Sequence, residues 1–265
     1  GASLLTGGLG YSSGELSFKR FSQIGNTAQT LLLTGTALLR LGPTSQFNGN
    51  LDFRAPQIAL DGCTFNGTSY LEKTGATNDN SSGGNVFNGP TTIANSGTGY
   101  IRSGLSVLDI FNGDLTLTNT GPSSIRMADN IPGTVFNGNI IVNSTFGEGI
   151  YFSTSANGTS TLAAGKAISV GGIGFTDGEL RLYRFTQVGT TAQNLVFGGT
   201  AGLRMGPTTT FNGNVNFSAP QLYLDGATFN GTATLQKTGA GYNQGLGNNI
   251  FASTATIANN GTAAL

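Results

Sequence analysis

The groups on this chain able to do chemistry are few: twelve carboxylates, twelve Lys or Arg cations, seven tyrosines, one cysteine and no histidine. Without histidine the commonest general base and metal ligand is missing from these 265 residues. The carboxylates are scattered, whereas glycoside cleavage needs them paired on one face. Two recur in one context, Leu-Asp-Gly at Asp61 and Asp225. An Asp before Gly suits a turn in which the carboxylate bonds its own backbone, with calcium ligation as the competing use. Neither the glycine-rich calcium nonapeptide nor a phosphate loop followed by Lys-Ser or Lys-Thr occurs. Cys63 aligns with Ala227, which favours a small buried side chain over a nucleophile. The expectation is a non-enzyme with no catalytic residue, no metal and no cofactor.

Other polar patterns are weaker. Thr116, Thr118 and Thr120 form a short row of the kind that orders ice on a flat solenoid face, as do Thr208 and Thr210, but Gln46 stands where Thr210 stands in the other copy. Asn-X-Ser/Thr sequences begin at Asn66, Asn80, Asn143, Asn157, Asn230 and Asn260, as turn residues or as glycan acceptors. Glu15 recurs as Glu179, Arg20 as Arg184, Arg40 as Arg204 and Lys73 as Lys237. Such recurrence marks either a selected surface feature or a recent duplication. Net charge is zero, which gives no pull toward nucleic acid or anionic membrane. No stretch of about 18 apolar residues is long enough to span a bilayer, and no signal peptide is visible.

What positions these residues is a repeat. Residues 1–101 align without a gap to residues 165–265, about half the pairs being identical. The units are therefore 1–164 and an incomplete 165–265, expected to form one continuous rod that runs on beyond both ends. Inside them the tripeptide Phe-Asn-Gly begins at Phe47, Phe65, Phe87, Phe111, Phe136, Phe211 and Phe229. The first four gaps, of 18, 22, 24 and 25 residues, suit a coil returning to one side of the molecule on each turn. The gap from Phe136 to Phe211 would hold three or four more turns, marked at Phe146-Gly147 and Phe197-Gly198.

Composition agrees with a sheet protein: 43 of 265 residues are Gly and 9% are charged, against an ordinary ~7% and ~25%. Seventeen Phe exclude simple disorder, and Gly or Asn interrupts almost every stretch before the ~11 residues of an average helix accumulate. Short alternating runs at Asn50–Phe53, Gln57–Leu60, Asp114–Thr118 and Asn139–Val142 predict strands. Stacked in parallel, they give an all-β fold, a parallel β-helix (β-solenoid) of about twelve turns.

In that fold Phe-Asn-Gly acquires roles. Each Phe would enter the core and pack on the Phe of the adjacent turns. Asn48, Asn66, Asn88, Asn112, Asn137, Asn212 and Asn230 would take a left-handed backbone at a corner and bond the next Asn in the stack. Gly49, Gly67, Gly89, Gly113, Gly138, Gly213 and Gly231 would supply a positive φ or room without a Cβ.

The Gly, Asn and Thr-rich coils with repeated Phe-Asn-Gly-Asn/Thr resemble the repetitive regions of giant bacterial surface proteins: adhesins and filamentous haemagglutinin-like or autotransporter-like stalks, in style also those of Bacteroidota. The resemblance implies export to the cell surface and a non-catalytic, mechanical or attachment role as the shaft of an extracellular filament. Its partners would be further copies of the same repeat, in the same or neighbouring chains, and surface glycans or other cells. Polysaccharide binding or cleavage, and ice binding, are the competing functions.

Overall fold

The computed structural model describes residues 2–5 and 10–263. All regular structure among them is β, thirty strands paired in parallel and no helix. The chain winds as a three-faced β-solenoid. Ten strands of the short face, two or three residues each from Gln46–Phe47 to Ile250–Phe251, form one unbroken sheet. With the bridge from Ser22 to Gln46 they mark eleven rungs, close to the twelve expected.

The long face carries five-residue strands such as Leu51–Ala55, Ser69–Lys73 and Leu115–Asn119, each in register with the next. Alternation decides which residues face inward: Leu51, Phe53 and Ala55 are buried while Asp52 and Arg54 look out. The lateral face is built from four-residue strands, among them Leu38–Leu41, Gln57–Leu60, Glu179–Leu182, Gly202–Met205 and Gln221–Leu224. The strands expected from alternation lie here, with those begun at Asn50, Asp114 and Asn139 shifted one residue onward.

Both of the longer faces are interrupted, the long face dividing into a seven-stranded and a four-stranded sheet. The lateral face is split into a three-stranded and a six-stranded sheet; across the gap run isolated bridges from Asp61 to Gly83 and Gly83 to Val107 and hydrogen bonds to and from Asp79 and Ser81. The long face bulges at Ile168–Phe175, where the register jumps between Val142 and Ser144.

The Phe136-to-Phe211 gap holds three rungs. Phe136 pairs with Leu162, Leu162 with Gln187, and Thr186 with Thr210. Phe146 is 54% exposed, and Phe197 stacks on Phe175 instead of on the column. The markers expected at Phe146-Gly147 and Phe197-Gly198 are therefore corrected: Leu and Gln occupy the column there. The offset of 164 residues thus corresponds to seven rungs.

Candidate functional site

The seven tripeptide phenylalanines are buried and lie on the short face. Phe47, Phe65, Phe87, Phe111 and Phe136 form one column, with ring centroids 5.7, 4.6, 4.6 and 5.3 Å apart and planes within 21° of parallel. Phe211 and Phe229 form a second stack at 5.8 Å, which Phe251 extends at 5.1 Å. Phe251 was invisible to the tripeptide because Ala252 follows it, yet it aligns with Phe87 in the repeat. Gln23 and Gln187 take the column position below each stack. The N–H groups of Asn48 and Gly49 both donate to Gln23 Oε1 at 3.0 Å, and Gly213 N–H donates to Gln187 Oε1 at 3.2 Å.

Outside this column runs a ladder of asparagine amides. Asn66 donates to Asn48, Asn88 to Asn66, Asn112 to Asn88 and Asn137 to Asn112, at 2.6 to 2.8 Å; Asn230 donates to Asn212 at 2.6 Å. The Nδ2 atoms of the sequons at Asn66 and Asn230 are thereby engaged.

The corner dihedrals correct one expectation. None of these seven Asn or seven Gly residues has a positive φ. The glycines are needed for close approach: a Cβ on Gly67 would lie 2.6 Å from the Gly49 carbonyl carbon, and one on Gly138 2.2 Å from the Gly113 oxygen. The corners stack backbone on backbone. Positive φ falls elsewhere, at Arg20 and Arg184 (55° and 48°) and at Thr44 and Thr208 (58° and 60°), the same corners in both copies.

The recurring charges assemble on the lateral face. Arg40 donates through Nε to Glu15 at 3.0 Å and through Nη1 to Asp61; Arg204 donates likewise to Glu179 at 3.0 Å and to Asp225 at 2.5 Å. Each acid–Arg–acid triad ties three successive rungs. Asp61 and Asp225 do not bond their own turn, which corrects that reading: the second oxygen accepts from the next rung, Ser82 N–H at 2.7 Å or Leu246 N–H at 2.6 Å. Tyrosines lie beneath the cations, with the Arg204 guanidinium 3.8 Å from the Tyr223 ring centre and that of Arg181 4.3 Å from Tyr151. Arg184 instead clamps a corner through the carbonyls of Ser153, Ser155 and Gly158.

Beside the second triad a cavity of about 280 Å³ is lined by Glu148, Asp177, Glu179, Thr200 and Gln221 among others. Its acids are engaged. Asp177 accepts from Gly147 N–H and Thr200 Oγ1–H, Glu179 holds Arg181 and Arg204, and Glu148 lies 3.6 Å from Arg126. Among the described residues no three His, Cys, Asp or Glu side chains gather as a metal site. Cys63 is buried, which pushes its thiol up to about 12. Thr116 pairs with Thr92, but Tyr70 and Ile141 flank the pair, so no threonine row continues along the face.

Lys73 and Lys237 are wholly buried, their ammonium groups held by the carbonyls of Gly75 and Gly239. Lys73 heads an internal corner column with Asn95, Asn119 and Ser144, all fully buried. Asn119 Nδ2 reaches the Phe146 carbonyl at 2.9 Å.

No protein-family model, curated protein or solved structure matches the chain.

Proposed function

We propose that this chain is part of the shaft of an extracellular filament or giant adhesin of the bacterial surface, and that its role is mechanical and not catalytic. The observation that carries this reading is that stacked Phe rings, Asn amides and acid–Arg–acid triads all run along the axis and join successive rungs in both copies. Eight of its twelve carboxylates pair with arginines, and the other four, Asp79, Asp109, Asp114 and Asp177, accept hydrogen bonds from other rungs. That supports a shaft over a polysaccharide-cleaving groove, which would need free acids, and the broken threonine pattern supports it over an ice-binding face. The partners are further copies of the repeat, stacked or laid side by side, with glycans or other cells at a distal tip.

Electron microscopy of the native material tests it. Seven rungs at ~4.8 Å predict thin fibres with an axial repeat near 34 Å. Globular particles, or cleavage of a polysaccharide by the purified chain, would overturn the shaft.

A further inference from the structure

Nine Asn-Gly steps occur in the chain. Each is a reactive pair, because the N–H of a residue without a side chain lies open to the carboxamide just before it. Seven belong to the Phe-Asn-Gly corners, and there the carboxamide is held. Every one of those seven Nδ2 groups donates to a group one rung away, an Asn Oδ1 or the main-chain carbonyl of Gln23 or Gln187. The backbone is fixed as well, with Asn66 N–H on the Phe47 carbonyl at 2.8 Å and Asn88 N–H on that of Phe65 at 2.7 Å. At Asn260-Gly261 the nitrogen is engaged, since Gly261 N–H donates to Asn259 Oδ1 at 3.1 Å.

Asn157-Gly158 differs from all of these. It lies in the corner between the lateral strand Gly149–Phe152 and the short-face strand Ser160–Leu162. Asn157 is exposed, and among the described residues neither its side chain nor its main chain makes a hydrogen bond. The Gly158 N–H has no acceptor among them either. Both the carboxamide and the nitrogen that can attack it are free.

A cation stands beside the pair. Arg184 donates through Nε to the Gly158 carbonyl at 2.9 Å and through Nη2 to the carbonyls of Ser153 and Ser155. Among the described residues no acid lies close enough to raise its pKa, and burial lowers it. An uncompensated positive charge favours loss of the Gly158 N–H proton, the step that makes this nitrogen a nucleophile, and favours any carboxylate formed nearby.

We propose that Asn157 is a site of spontaneous covalent modification, where the folded chain converts one asparagine to aspartate and isoaspartate while the stacked corners keep theirs. The Gly158 nitrogen gives up its proton and forms a bond to Cγ of Asn157. The Cγ–Nδ2 bond breaks, and the leaving nitrogen takes that proton and departs as ammonia, closing a succinimide ring. Water then opens the ring at one carbonyl or the other, its hydroxyl going to carbon and its proton to nitrogen. Either product places a carboxylate in the segment that Arg184 spans and takes the net charge of the chain from zero to minus one.

The test holds the whole 265-residue chain in mildly alkaline buffer made with heavy-oxygen water, folded or in denaturant, and follows each Asn-Gly step by peptide mass spectrometry. In the folded chain Asn157 should convert about tenfold or more faster than any Phe-Asn-Gly asparagine, the worth of the one or two hydrogen bonds such a residue must first break. Its product should carry the heavy oxygen and include isoaspartate. Denaturant should erase the difference between sites. Asn157→Gln, which alters an exposed side chain and demands a larger ring, should remove the signal and leave the rest of the map unchanged. Equal conversion of Asn157 and Asn66 in the folded chain overturns the proposal, as does conversion of Asn157 in denaturant only or a product free of isoaspartate.

Discussion

Phe65 lies between Phe47 and Phe87 with no exposed surface, and Phe229 between Phe211 and Phe251. Truncating either to alanine leaves a cavity in a stack that cannot collapse along its axis, because the rung spacing is set by backbone hydrogen bonds. We predict a loss of roughly 3–5 kcal/mol for Phe65→Ala and for Phe229→Ala, measured by denaturant unfolding; an unchanged midpoint would contradict the stack. The corner glycines make a sharper test. Gly67→Ala puts a methyl 2.6 Å from the Gly49 backbone, whereas a Cβ on Gly172 meets nothing within 4 Å. The first substitution should cost about 1–3 kcal/mol and the second less than about 0.5. If both are neutral, corners do not stack backbone on backbone. The residue type was readable here and its reason was not: Asn-Gly signals a left-handed turn when only the local chain is considered. Crowding comes from a rung 18–25 residues away, which the tripeptide does not encode.

At the scale of the strand, alternation revealed the long and lateral faces to within a residue, because inward positions carry Leu, Ile, Val and Phe. The broken lateral rung was not legible. Residues 74–82 hold polar side chains that look like an ordinary loop, and only the stack shows Asp79 and Ser81 standing in for carbonyls. The consequence is a pH dependence. Burial raises the Asp79 carboxyl from 3.8 to about 7, against the opposing hydrogen bond from Ile58 N–H and the charge of Lys73. A group whose folded pKa is raised holds its proton more tightly when folded. Its stabilising contribution is complete below pH 3.8, declines as pH climbs and is gone above about 7. A shift of that size is worth on the order of 4 kcal/mol. Asp109 is raised in the same direction by burial, so it adds to the slope. Unfolding midpoints should therefore fall between about pH 4 and about pH 8 in the parent chain, and fall distinctly less in Asp79→Asn. Equal slopes in the two proteins would show that Asp79 is not buried at this rung.

For the whole molecule, the internal duplication was the plainest signal, and it carries a mechanical corollary. Each rung contacts only the rungs above and below, so stability is approximately a sum over neighbouring interfaces. Removing residues 48–65, one turn from Phe47 to Phe65, would join Phe47 to Asn66-Gly67 and regenerate the same tripeptide. Phe47 would then stack toward Phe87, and the N–H groups of Leu39 and Leu41 would face the Asp79 and Ser81 side chains that now serve Ile58 and Leu60. Arg40 would lose Asp61 and keep Glu15. Deleting only residues 48–56, half of that turn, removes the long-face strand Leu51–Ala55 and leaves every later rung out of phase with the three faces. The whole-turn deletion should keep the parent's circular dichroism per residue and lose only a few degrees in melting temperature, while the half-turn deletion should lose cooperative melting altogether. If both deletions behave alike, the rungs are not interchangeable units, and the solenoid would have to be a single cooperative block whose length evolution could not adjust one turn at a time.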